Sequence, residues 1–413
     1  MSRTQTIPVA AAVLTAGVFM SCAHLQGDGG EERAARPFTI AAIGDAGEPG
    51  GPARLNATLL TNMYTGQHDG GTFDALIFLG NSFYPTGLNV PVDQLEGRIK
   101  ETLDPYKVPL EGLGRDHVHA IAGNHDYYAR NAIEASVLFG LISISELPVG
   151  LSDRGNEREA AIDRWTYHHG MPGQAVYPLT EGAADSVQFL FVDSALPLRT
   201  DPRTWSPALD SLERLLRSST GRTGIRWRVL CTHHPFASLG EHGGYSIWND
   251  ESGRVEYLTA CDKDSNAVGW IKNQFDPEDL CTTKYQSYML ALKDVIRRSG
   301  AAIHLALSGH DHSLQLLACP EGDTSCAGCP RIQIISGAGS SPSLVRETRP
   351  PYEYTSASDS PSRRGVSAAG FVQLMFSADH IRVVFFDAQS IAPLDMGGGR
   401  REFFVGRSGA MEN

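Results

Sequence analysis

One pattern constrains this chain more than any other. Short apolar runs end abruptly in a tight polar turn, most often a glycine followed by Asp, Asn or His. It occurs first as FTIAAIGDAG (38–47), then as FDALIFLGNSFY (73–84) and VHAIAGNHD (118–126). VQFLFVDSA (187–195), WRVLCTHHPF (227–236), IHLALSGHDH (303–312) and RIQIISGAG (331–339) continue it. Apolar runs of this length bounded by turn signals predict strands buried on both faces. Between them, SPALDSLERLLRS (206–218) places Leu209, Leu212, Leu215 and Leu216 on one face, which predicts a helix capped by Ser206 ahead of Pro207. SYMLALKDVIRRSG (287–300) predicts another, ending at Gly300, and 91–103 and 131–140 carry weaker helical patterns. Strands alternating with helices make an α/β domain. GFVQLMFSADHIRVVFFDA (370–388) reads instead as two strands joined by a turn at Ala378–Asp379, so the sheets are mixed. Polar residues that follow such strands gather at one edge of a sheet, where α/β folds bind ligands.

The chain of 413 residues is long enough for one large domain, and no boundary shows after residue 36. Its formal net charge of −12 excludes the electrostatic footprint of a nucleic-acid binder. The same charge repels phosphorylated substrates at long range, so a phosphate site here needs concentrated local positive charge. Arg3 followed by the apolar stretch Ile7 to Met20 has the length of a secretory signal rather than a membrane span. Ser21 and Cys22 at its end resemble a bacterial lipoprotein cleavage site. Residues 1–21 are therefore expected to be a signal peptide and 22–36 a flexible tether, with 37–408 one catalytic domain. The expected location is the bacterial periplasm or cell envelope, with secretion as the alternative. Any membrane contact runs through a lipid on Cys22. Seven cysteines suit an oxidising compartment. Cys261 and Cys281 flank a polar insertion at about 245–285 and are placed to staple it. Cys319, Cys326 and Cys329 offer one further bridge; Cys326 and Cys329 have zinc-like spacing but too few ligands.

Taken singly, a GDAG or GNHD turn is weak evidence of chemistry, and a lone histidine is more often structural. Several strand ends that each offer Asp, Asn or His are harder to dismiss. Carboxylate, amide carbonyl and imidazole together are what a pair of hydrolytic metal ions requires. In order, GDAG (Asp45), GNSFY (Asn81, Tyr84), GNHD (Asn124, His125), VLCTHHP (His233) and GHDH (His310, His312) resemble the metal motifs of the purple acid phosphatases. The likeness is to the small tartrate-resistant type within the calcineurin-like metallophosphoesterases, and it runs from Phe38 to the C-terminus. It implies a four-layer α/β/β/α sandwich of two mixed sheets flanked by helices. It also implies iron at Asp45, Tyr84 and His312, and zinc, iron or manganese at Asn124, His233 and His310. His125 and His242 would bind phosphoryl oxygens and protonate the leaving group. The implied substrate is a small phosphate monoester, hydrolysed at acidic pH. His168, His169 and His234 are left as structural or rim residues.

Asn81 departs from the pattern, because the family has an aspartate there that bridges the two cations. An asparagine keeps the shape and loses the charge, and its NH₂ end cannot ligate. The corner at Asn124, His233 and His310 is then left with neutral ligands only. Three readings stay open: a silenced phosphatase, a one-metal or weak two-metal hydrolase, and a protein that binds phosphate or phospho-ligands without turning them over. A phosphodiesterase of the same fold is a further alternative. The other motif positions are intact, which favours a phosphatase of reduced activity.

Overall fold

The computed structural model describes residues 36–69, 71–127, 153–240, 242, 246–249, 254–257, 278–280, 282–318, 328–343, 345 and 363–412. The signal and tether segments up to residue 35, the 131–140 helix and most of the 245–285 insertion lie outside them. So do Cys22, Cys261, Cys281, Cys319 and Cys326.

Along the chain come β1 (Phe38–Ile43), β2 (Ala75–Phe78), β3 (Val118–Ile121) and β4 (Thr166–His168). Next are β5 (Gly173–Pro178), β6 (Ser186–Val192) and β7 (Ile225–Thr232), then a separate pair, β8 (Ser246–Asn249) and β9 (Arg254–Tyr257). β10 (Leu305–Ser308), β11 (Leu314–Ala318), β12 (Ile332–Ser336) and β13 (Arg363–Val366) follow. The last are β14 (Gly370–Phe376), β15 (His380–Asp387), β16 (Ala392–Pro393), β17 (Glu402–Gly406) and β18 (Met411–Glu412). One sheet has the order β18-β17-β15-β14-β1-β2-β3-β4, with β16 beside β15; the other runs β13-β11-β12-β10-β7-β6-β5. In the first, β1 to β4 form a parallel block that runs to one edge, with antiparallel strands beyond β1; in the second, parallel β6, β7, β10 and β12 have antiparallel strands on both flanks.

Alternation along the strands builds the layers. Ile40 and Ala42 of β1 join Phe189, Phe191, Val229, Cys231, Leu307 and Ile334 in a core between the sheets. Ala41 and Ile43, their neighbours in sequence, pack with Leu59, Leu60, Met63, Leu103 and Leu110 from helices Gly51–Tyr64, Val92–Leu103 and Lys107–Leu113. On the far side, Leu190, Val192 and Leu230 meet Leu212 and Leu216 of helix Pro202–Thr220 and Leu292 and Ile296 of helix Thr283–Ser299. Strands buried on both faces between outer helices make the four-layer α/β/β/α sandwich.

One expected boundary is corrected. The helix read as starting at Ser206 begins at Pro202, capped by Asp201, whose side chain accepts the Arg203 N–H at 2.8 Å, so Pro207 falls inside it. Asp201 then Pro202 is the stronger start signal, a cap acceptor followed by a residue with no N–H to satisfy. At one rim the two sheets are tied directly. Ser336 Oγ donates to the Ala42 carbonyl at 2.8 Å and accepts the Val372 N–H at 3.1 Å, and the Gly44 N–H reaches the Ser336 carbonyl at 2.6 Å.

Candidate metal centre

At that rim the parallel strands of both sheets end. Asp45 follows β1, Asn81 and Tyr84 follow β2, and Asn124 and His125 follow β3. From the second sheet come His233 after β7 and His310 and His312 after β10. Asp45, Asn81 and His310 have left-handed backbones, with φ of 56°, 55° and 71°, and these turn each loop sharply back over the rim. Asp and Asn tolerate that region; the histidine adopts it at a cost of about 1 kcal/mol. Two glycines allow close approach. A Cβ on Gly80 would lie 2.3 Å from His233 Nδ1, and one on Gly123 would lie 2.3 Å from Asn81 Oδ1.

Asp45 anchors one corner. Its Oδ2 accepts the His310 N–H at 2.7 Å, while Oδ1 accepts the Tyr84 hydroxyl at 2.9 Å and lies 3.6 Å from His312 Nε2. Tyr84 Oη is 3.0 Å from His312 Nε2. Two oxygens and a nitrogen spaced in this way resemble ligands about one ion held by bonds of about 2 Å. Burial acts to raise the Asp45 pKa, but His233 and His312 outweigh it and bring it to about 2. The Tyr84 phenol is pushed well above its ordinary value by burial and by the Asp45 charge, so a cation would be needed to ionise it. The corner fits a hard cation.

The second corner contains an unusual contact. His233 Nδ1 sits 2.7 Å from the Leu79 carbonyl, which can only accept, so Nδ1 carries the proton. Its Nε2 then turns a lone pair on Asn124 Oδ1, 2.8 Å away. The Asn124 amide cannot flip to relieve this, because its Nδ2 donates to Glu278 Oε2. Two buried acceptors face to face require a proton or a cation. Burial pulls the His233 pKa down and disfavours the proton. His310 lies 5.2 Å from His233, ring centre to ring centre, and its Nε2 reaches the Glu278 carbonyl at 2.9 Å. This corner also fits a cation.

The link between the corners does not. Asn81 Nδ2 donates to Asp45 Oδ1 at 2.7 Å and to Asn124 Oδ1 at 2.8 Å, with Tyr84 Oη 3.0 Å away. Its Oδ1 accepts the His125 N–H at 2.8 Å, and that fixes the amide. Turning it over would set NH₂ against N–H. A donor therefore occupies the position where a bridging ligand would present lone pairs.

The flanking histidines differ in charge. Burial lowers the His125 pKa to about 4, and its Nδ1 lies 2.9 Å from the Pro85 carbonyl. Burial works the same way on His242 but is overcome by its hydrogen bond to Asp279 (2.9 Å) and the charge of Asp311, which raise it to about 9. The His242 ring stacks on His310 with centres 4.1 Å apart.

Sequence reasoning missed three residues here. Glu278 and Asp279 belong to the polar insertion that had no assigned place. Glu278 also accepts from the Arg199 guanidinium at 2.5 Å. Asp126, beside the GNHD histidine, accepts the Gly123 N–H at 2.7 Å and the Asn81 N–H at 3.1 Å, bracing both loops. His168 stacks on Phe191 at 4.1 Å and His169 packs against Tyr167. His234 is not a rim residue: it is fully buried, 4.3 Å from the His310 ring.

No curated protein sequence matches the chain. Among solved structures, GAP50, the anchor in the inner membrane complex of Plasmodium, shares the fold with TM-score 0.50 and 16% identity over 86% of both chains. PhoD matches with TM-score 0.49 and 10% identity over 90% of this chain and 70% of its own. The calcineurin-like phosphoesterase family model matches residues 38–314, more than half of the chain and every residue from Asp45 to His312 that lines the two corners. The chain belongs to the calcineurin-like phosphoesterase family.

Proposed function

We propose that this protein is an exported metal-dependent phosphatase acting on phosphate monoesters, its turnover held down by Asn81. The observation that supports it best is the contact of His233 Nε2 with Asn124 Oδ1 at 2.8 Å, two buried lone pairs that call for a cation. Asp45, Tyr84 and His312 would hold iron, and Asn124, His233 and His310 would hold zinc, iron or manganese. When bound, such ions offset phosphate charge and acidify water. His242, kept protonated by Asp279, would donate its proton to the leaving oxygen. His125, whose Nδ1 lies 2.9 Å from the Pro85 carbonyl, would bind the phosphoryl oxygens. The apolar stretch from Ile7 to Met20 supports export, with a lipid on Cys22 as the tether.

The Asn81 orientation favours a second reading, phosphate binding without turnover on the same scaffold. The test is hydrolysis of p-nitrophenyl phosphate and its bis ester at pH 5–7 by the full-length chain reconstituted with iron plus zinc or manganese. The monoester should be cleaved faster, and His242→Ala should slow it by about 10²-fold or more. Phosphate binding with neither ester cleaved would establish the second reading; a preference for the diester would make it a phosphodiesterase.

A further inference from the structure

We propose that His234 is a metal ligand, making the second corner a three-imidazole site for a zinc-class ion with His233 and His310. This rests on the reading that the corner takes a cation, not on hydrolysis. One nitrogen from each of these three buried side chains lies within 4.8 Å of the others, the only such His, Cys, Asp or Glu group among the described residues. Ligands about one tetrahedral zinc sit about 3.3 Å apart, so small side-chain rotations close the set.

The hydrogen bonding of His234 points the same way. Nδ1 lies 2.9 Å from Ser194 Oγ, which also accepts the His234 backbone N–H at 2.9 Å. A hydroxyl can accept from Nδ1–H, and that tautomer leaves a lone pair on Nε2. Nε2 is buried and has no hydrogen-bond partner among the described residues. An orphaned imidazole nitrogen beside two other imidazoles is costly unless something occupies the space between them. His310 is arranged in parallel: its Nε2–H is spent on the Glu278 carbonyl, and its lone pair is on Nδ1.

The set also answers the loss at position 81. An oxygen-rich corner without its bridging carboxylate binds weakly, but three neutral imidazoles suit zinc without an anionic bridge. Glu278, hydrogen-bonded to Asn124, supplies negative charge one residue away. The two corners thereby differ in kind: hard oxygen donors at Asp45 and Tyr84, nitrogen donors at the three histidines.

The test uses the full-length chain, purified without a histidine tag and stripped with a chelator. Zinc is titrated against a chromophoric chelator, and cobalt(II) is added separately to record its visible spectrum. The expected result is one tight zinc and intense cobalt bands of low coordination number. His234→Ala should weaken zinc by at least 10–100-fold and reduce the rise in melting temperature that zinc produces. Unchanged zinc affinity in a variant with native circular dichroism would overturn the assignment and leave the proposed phosphatase standing. Should the variant fail to fold, weak six-coordinate cobalt bands in the unaltered protein would overturn it equally. No zinc binding by the unaltered protein would sink both readings.

Discussion

Asn81 shows how one atom type redirects a site. An aspartate in its place would keep one oxygen on the His125 N–H and set the other about 2.7 Å from Asp45 Oδ1, a like-charge contact in a buried pocket that only cations relieve. The amide removes that demand by donating to Asp45 and Asn124 together, so the pocket is held in shape by hydrogen bonds. Glu278 works in the opposite direction. By engaging Asn124 Nδ2 it keeps Oδ1 turned inward, toward the His233 lone pair. Glu278→Ala should free the amide and weaken the ion at this corner by about 10-fold, and it should also lower the melting temperature of the metal-free protein, because Arg199 loses its carboxylate partner. An equal affinity, read in the same chelator titration, would mean that Asn124 is held by something else.

The strands β1, β2, β3, β7, β10 and β12 were legible because each is an apolar run closed by a turn, and helix Thr283–Ser299 because Gly300 ends it with φ of 67°. β4, β5, β16 and β18 were not, since short strands at or beside a sheet edge with half-exposed faces carry no distinctive period, nor was the five-residue β17, which is too short to show one. The motif residues, Asp126 included, were visible in the sequence, but Glu278 was not and Asp126 had no assigned role, because these roles come from tertiary approach. The histidines of β3 and β4 provide a test of packing. His119 Nε2 lies 2.6 Å from Tyr177 Oη and Nδ1 lies 3.2 Å from His168 Nε2. Burial lowers the His119 pKa from 6.5 to about 4, and that of His168 to about 3. Between these values and 6.5 the unfolded chain binds protons that the folded chain refuses. Stability is therefore fully present above pH 6.5 and falls as pH drops through the window, by about 3 kcal/mol for His119 alone. His119→Gln should flatten that slope in urea melts between pH 7 and pH 4.5; an unaltered slope would place the loss elsewhere.

The centre exists only because two sheets meet. Asp45, Asn81 and Asn124 come from one, His233, His310 and His312 from the other, and the packing of Ile40, Phe189, Leu307 and Ile334 between them sets the distance across the site. Ser336 fixes the rim at which both sets of loops emerge. A fold of this kind determines where ligands stand; on the proposed reading, the residue at position 81 sets how many ions are held and how tightly. The central claim is that the Asn81 amide stands where a bridging carboxylate would and so limits the ions bound. It is tested most directly by measuring metal stoichiometry and aryl-phosphate turnover for the unaltered chain and for Asn81→Asp, both reconstituted with iron plus zinc. The prediction is that Asn81→Asp gains a second tightly held ion and at least about 10²-fold in rate, while its metal-free form melts lower than the unaltered protein. Two tight ions and a comparable rate in the unaltered chain would contradict it.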